Sequence, residues 1–429
     1  MPISKAIIDV QWAFISIVIA SLAHFVLRII LGKEFGAEWL GIYTLAFTFY
    51  LLGLQFSAFG IQDALTKYVA EYIKDQGLIK TYVSSGMTSS VITGTAMGIV
   101  LFFFAPYLAI SFFHIPELEI LIQLTALSYP FIAVQKAVLG TLNGFRRMHI
   151  FAFLNIVQNL AIVLVTIALV LIFRMGVLGA IIGFVAPTII ISLFSIILIR
   201  DALDFNLRSL WHIPTLQSTT IFGFYIVLAQ SIAFLNAQIG NILIGFYLDA
   251  TEVGIYAVAV LFAQIVILIP SAVQRVTAPV IATLYGKGDF EGIKKIALSA
   301  MKKCFIISLI FSVFIVVFGK IIITGLFTAE FIQSYQPLVI LLIGYVFLAP
   351  VLAIGAIFGS INKVHLVFRI ALVYGVVSVV LAIFLIPFLG ISGVALSTTI
   401  VNIICFGINL ILLQKFIFRK CPTVKLDKH

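Results

Sequence analysis

Three cations stand inside long apolar runs: Arg28 in SLAHFVLRIIL, Lys136 in FIAVQKAVLG and Arg275 in SAVQRVTAP. A cation at the centre of a membrane helix costs about 2.5–3.5 kcal/mol on insertion scales, so each needs an account. None sits at the midpoint of its run, and snorkelling to an interface is one account. A hydrated cavity whose charge they set is the other. All 16 Asp and Glu residues fall in loops or at the ends of runs, with Asp63 and Asp249 closest to the apolar segments. A cavity with three cations and so little carboxylate prefers an anion. Phosphate fits, because Arg offers a planar fork and Lys a point charge.

Neutral polar groups accompany the cations. His24 lies four residues before Arg28 on the same helical face, as a hydrogen-bonded core histidine or a proton-sensitive partner. Asn155, Gln158 and Asn159 recur at i, i+3, i+4, one polar stripe on an apolar helix. At 100° per residue, Gln230, Gln238 and Asn241 fall within about 80° of each other. Both stripes suit either helix–helix hydrogen bonding or contact with sugar hydroxyls. Enzymatic chemistry finds no foothold: there is no Walker lysine motif, HExxH, GxSxG or DxD. The three cysteines, Cys304, Cys405 and Cys421, have no CxxC spacing and read as small hydrophobes, so neither a metal nor a cofactor is expected.

The elements that position these groups follow from composition. The chain has 429 residues, 63% hydrophobic and 10% charged, against about 45–50% and about 25% in soluble domains. Its mean hydropathy is +1.24. It reads as an all-α integral membrane protein. About 20 apolar residues span a bilayer. Breaking the chain at polar clusters gives twelve such runs: 10–31, 39–60, 81–105, 118–140, 150–172, 177–199, 219–245, 253–279, 300–325, 334–358, 366–388 and 391–417. Pro130, Pro187, Pro270, Pro279 and Pro350 lie within runs or near their ends, as kinks that neighbouring helices tolerate or as hinges.

The net charge of +10 then reads as topology rather than affinity for nucleic acid. With the N-terminus inside, 20 of the 26 basic residues fall on the cytoplasmic side, and Lys33, Arg174 and Lys320 fall outside. Both termini are expected in the cytoplasm, in a multi-pass protein of the cell membrane.

A shift of 213 residues overlays LGKEFGAEWLGIYTLAF (31–47) on IGFYLDATEVGIYAVAV (244–260) without a gap. It pairs Ala37 with Ala250, Gly41 with Gly254 and Tyr43 with Tyr256. At 214, GVLG (176–179) overlays GISG (390–393). Six spans per copy make a parallel repeat: two six-helix lobes related by a pseudo-two-fold along the membrane normal. The expected division is an N-lobe at 1–200, an interlobe linker at 201–218, a C-lobe at 219–418 and a basic tail at 419–429. Transporters of this plan bind substrate between the lobes and alternate access by rocking them.

The chain resembles the oligosaccharide flippases, the polysaccharide-transporter branch of the multidrug/oligosaccharidyl-lipid/polysaccharide (MOP) superfamily. The likeness covers essentially the whole chain. It is densest at RIILGKEFG (28–36) with Gly41-Ile-Tyr, ALTKYVAEY (64–72), GTLNGFRR (140–147), PVIATLYGKGD (279–289) and GISG (390–393). The resemblance implies that a polyprenyl-pyrophosphate-linked oligosaccharide passes from the cytoplasmic to the outer leaflet around a cationic central cavity. Arg28 carries over from the family pattern; Lys136 and Arg275 are assigned here from charge and depth. A cation-coupled multidrug (MATE-type) antiporter is the alternative, although its ion-coupled members tend to carry an acid in the first span, where this chain has none after Asp9. The expected partners are the lipid-linked glycan and membrane lipids. The coupling ion, H+ or Na+, is left open. The chain is expected to act as a monomer, with glycan-assembly enzymes as candidate partners.

Overall fold

The structure, a computed structural model, describes residues 3–355, 357–361 and 363–417, without the side chains of 3–10, 13, 14, 17, 229, 233, 360, 364 and 365. The expected basic tail, with Cys421, lies outside the described residues. Among the described residues there is no strand. The helices of the first half are α1 (Ile3–Ala58), α2 (Ile61–Glu71), α3 (Gln76–Pro106), α4 (Glu117–Ala126), α5 (Tyr129–Gly144), α6 (Met148–Ile167), α7 (Gly176–Ser195) and α8 (Leu207–Leu210). The second half has α9 (Ile213–Tyr247), α10 (Ala250–Ala263), α11 (Ile265–Gly286), α12 (Phe290–Leu326), α13 (Tyr335–Ala353), α14 (Ile357–Ser360), α15 (Val364–Leu389) and α16 (Ile391–Phe416).

Length decides how these helices meet a bilayer. The 56 residues of α1 would run about 84 Å at 1.5 Å per residue, against a hydrocarbon core of about 30 Å. Gly36 (φ 73, ψ −175) divides it, in a backbone region that is essentially closed to any residue with a Cβ. Among the described residues, nine helices are long and apolar enough to cross a membrane, and two bent pairs, one of α4 with α5 at 42° and one centred on α9 at 48°, bring the number to eleven. Separating α1 at Gly36 supplies a twelfth, in keeping with the twelve runs. Large apolar side chains such as Phe103, Ile172, Ile321 and Phe388 are exposed on these helices, as a lipid-facing surface requires and a water-facing one does not tolerate.

The chain divides into two compact units. The first runs to Phe234 and takes in Asp249–Gly254; the second holds Leu235–Leu248 and the chain from Ile255 onward. The residues 201–218 all belong to the first unit, where the Asp204 N–H donates to the Ser84 hydroxyl and the Thr215 hydroxyl to that of Ser85, both at 2.8 Å. Asp204 accepts from the Ser209 hydroxyl and the Asn206 N–H, bonds that hold its carboxyl below the ordinary 3.8.

Both units reuse the same local devices at the spacing of the sequence repeat. Asp75 caps α3 by accepting from the Leu78 N–H, and Asp289, 214 positions on, caps α12 by accepting from that of Gly292. Gly176 (φ 61) and Gly390 (φ 54) turn left-handed just before α7 and α16 gain their first full turns. Within the first unit the repeat also meets itself. A Cβ on Gly41 would overlap the Ala250 carbonyl oxygen, and one on Gly254 would overlap that of Ala37. The four residues are two pairs at the 213 offset, so the contact is reciprocal, as at a two-fold axis.

Candidate substrate site

The first unit gathers seven of the ten candidate residues into three polar groups. On α1, His24 and Arg28 are half-buried one turn apart. The Asn159 amide donates to the Asn155 carbonyl at 2.7 Å, which leaves its oxygen to accept from His24 Nε2 at 2.9 Å. That bond sets the histidine tautomer and ties α6 to α1. Asn155 spends its amide on the Phe151 carbonyl of its own helix. An aromatic floor adjoins the pair: Phe47 lies 6.3 Å from His24, and Tyr43, Tyr50 and Phe184 surround Phe47 with centroids 5.6–6.0 Å away. Tyr43, 4% exposed, is within electrostatic reach of Arg28.

Gln158 belongs to a different group from its stripe-mates. It accepts from the buried Gln135 amide at 2.8 Å and donates to Thr188 at 3.4 Å, while Ser192 bonds Gln135 in turn. This network joins α5, α6 and α7, the helix–helix role that the stripe allowed. Lys136, next to Gln135, is half-buried and within electrostatic reach of Asp63 in α2. Asp63 accepts from the Gln230 amide at 3.4 Å, and Gln230 accepts from Gln55 at 2.6 Å.

The remaining candidates lie in the second unit. Gln238 and Asn241 bond one another at 3.1 Å. The bend in α9 at residues 232–234 separates them from Gln230, so the stripe that a straight helix would carry is broken. Arg275, on α11 between Pro270 and Pro279, is exposed.

Sequence reading missed Gln55, Gln135 and the aromatic floor. Gln135 stood beside the singled-out Lys136, and the i, i+4, i+7 spacing of Tyr43, Phe47 and Tyr50 was visible, but apolar helices carry many such spacings by chance. Chemically, these three groups of the first unit offer two half-buried cations and a histidine against one exposed carboxylate, Asp63. Among the described residues no group of acids, histidines and cysteines could hold a metal ion.

The described helices are those of a multi-pass membrane protein, and the fold is that of the MOP superfamily transporters. An inward-facing multidrug resistance MATE family transporter of that superfamily matches with a TM-score of 0.80 at 18% identity, over 93% of this chain and 95% of the other. The lipid II flippase MurJ, in an inward closed conformation, matches at 0.76 and 20% identity, over 95% and 87%. A MOP superfamily transporter from Pyrococcus furiosus, described by the reverse polarity of its binding pocket, matches at 0.60 and 15% identity, over 96% and 94%. The chain belongs to the family described as "Polysaccharide biosynthesis protein", whose profile matches residues 8–285. The MatE profile matches residues 226–384. A curated relative, the uncharacterized membrane protein MJ1068 of Methanocaldococcus jannaschii, is 20% identical over 92% of this chain and 81% of its own.

Proposed function

We propose that this transporter moves a polyprenyl-pyrophosphate-linked oligosaccharide from the cytoplasmic to the outer leaflet of the cell membrane by alternating access. The observation that carries the reading is the half-buried pair His24 and Arg28, held by Asn159 and backed by aromatic rings. A half-buried guanidinium beside this histidine and near aromatic rings matches a pyrophosphate better than it matches a cationic drug. Lys136 adds a second positive charge from the same unit, and Arg275 is the third cation of the sequence reading, on the second unit. Beyond the bonds they already make, the second amide hydrogens of Asn155, Asn159 and Gln230 are suited to sugar hydroxyls. The N- and C-termini are cytoplasmic in this reading, and the lobes are those of the sequence repeat.

Replacing Arg28 and Arg275 together with Ala tests it. The double variant should fail to rescue a flippase-deficient strain while its membrane level stays normal. Full rescue would sink the assignment of these cations to substrate. The MatE match over 226–384 and the 0.80 superposition favour one competing reading, a multidrug antiporter. Expression that confers resistance to cationic dyes and leaves surface glycans unchanged would favour that reading instead.

A further inference from the structure

A cleft of ≈ 650 Å³ opens on the first unit and shares no lining residue with the His24, Arg28 and Lys136 groups. Its walls carry Glu34, Phe35, Trp39, Glu117, Ile120 and Arg174. Three separate chain segments bring them together. Glu34 and Phe35 end the first stretch of α1, and Trp39 follows the Gly36 break. Glu117 opens α4, and Arg174 sits in the left-handed turn (φ 52) that leads to Gly176 and α7. Lys33 and Arg174 belong to the loops that the charge distribution assigns to the outer side.

The three charged side chains are unspent. Among the described residues, neither Glu34, Glu117 nor Arg174 has an ion-pair or hydrogen-bond partner in the protein. Two carboxylates against one guanidinium leave the cleft net negative, so it repels a pyrophosphate. It differs in sign from the group around Arg28. Carboxylates accept pairs of hydroxyl hydrogen bonds, and a guanidinium donates to ring and hydroxyl oxygens. Trp39 is 42% exposed and presents an apolar ring with a polar N–H, suited to the C–H face of a sugar. The volume falls within the range of small-molecule sites and would take two or three sugar rings.

We propose that this cleft is an outer-face glycan site that binds neutral saccharide and receives the oligosaccharide portion of the substrate after translocation. The proposal rests on the flippase reading for the origin of the sugar. The cleft's affinity for sugar is a property of its own residues. Its opposite charge gives the transporter a division of labour: the pyrophosphate is favoured at the cationic group, and the glycan is favoured where phosphate is not.

The test is fluorescence titration of full-length protein in nanodiscs, with Trp12 and Trp211 replaced by Phe so that Trp39 alone reports. The probes are maltotriose, triacetylchitotriose and the anionic trigalacturonate. Saturable quenching by the neutral trisaccharides is expected, at least tenfold tighter than by trigalacturonate. Glu34→Gln with Glu117→Gln should weaken the neutral probes at least tenfold and narrow the difference from trigalacturonate. Arg174→Gln serves as a second, independent variant with the same expected loss. No saturable response to the neutral probes overturns the proposal, as does a response that survives all three substitutions. A response only to nanodiscs enriched in phosphatidylethanolamine also overturns it, by marking the cleft as a lipid-headgroup site. Because binding is read without transport, these outcomes are separate from rescue by the Arg28 and Arg275 variant: sugar binding with full rescue keeps the cleft and loses the cationic site, and the converse loses the cleft alone.

Discussion

Arg28, His24 and Asn159 show how the setting of one residue depends on another far along the chain. An arginine in an apolar helix is visible in any sequence as an expensive feature with a task. Its setting is not visible, because His24 finds its acceptor 135 positions away. The polar stripe of α6 was legible in its period, yet its members serve different masters: Asn159 faces α1 while Gln158 faces α5 and α7. Adjacent positions on one helix face diverge when two different helices pack beside it, and a single sequence does not contain that packing. On the substrate assignment, Arg28 acts through its fork as well as its charge. Arg28→Lys keeps the charge and should lower the rate of lipid-linked glycan transport in proteoliposomes about tenfold. Arg28→Ala should lower it about a hundredfold, since hydrogen bonds to charged groups contribute about 1.5–3 kcal/mol. Equal rates for the Lys variant and the native protein would reduce Arg28 to a point charge.

At the scale of elements, apolar length was legible and the breaks within it were not. The twelve runs are largely helical because a bilayer forces about 20 apolar residues to satisfy their own backbone, although 118–140 is divided between α4 and α5 and 253–279 between α10 and α11. Where a helix bends depends on one or two dihedrals, as at Gly36 in α1 and at residues 232–234 in α9. The second of these redistributes the Gln230, Gln238 and Asn241 stripe between the two units. The repeat was the most informative element-level signal, and the reciprocal contact of Gly41 and Gly254 gives it a physical reason. Each glycine leaves room for a carbonyl oxygen of the other copy's segment, so both copies must stay small at the same place. Gly41→Ala and Gly254→Ala should each lower the melting temperature of the purified protein sharply, with a cost of about 3 kcal/mol or more from overpacking against backbone. Gly407→Ala, where a Cβ meets nothing within 4 Å, should be neutral or gain up to about 1 kcal/mol in helix propensity. If all three behaved alike, the crossing would have no structural weight.

At the scale of the whole molecule, the sequence carries an orientation that a fold alone does not. Helices and their contacts look the same whichever leaflet is cytoplasmic; the asymmetry lies in where lysine and arginine fall. Twenty cations on one side against Lys33, Arg174 and Lys320 on the other is a large bias over short loops. In the flippase reading it predicts the direction of transport, because the cytoplasmic side is where a lipid-linked glycan would be loaded. It also decides whether the cleft of Trp39 and Arg174 receives a translocated glycan or faces the cytoplasm. Single cysteines make this measurable. In a background with the native cysteines replaced, cysteine at Lys33, Arg174 or Lys320 should react with a membrane-impermeant maleimide on intact cells. Cysteine at Lys74, Arg208 or Lys294 should react only after permeabilisation. Cys304 and Cys405 are buried, so their removal should disturb the surface little. The inverse labelling pattern would turn the molecule over, place the saccharide cleft on the loading side, and make it an entrance instead of an exit.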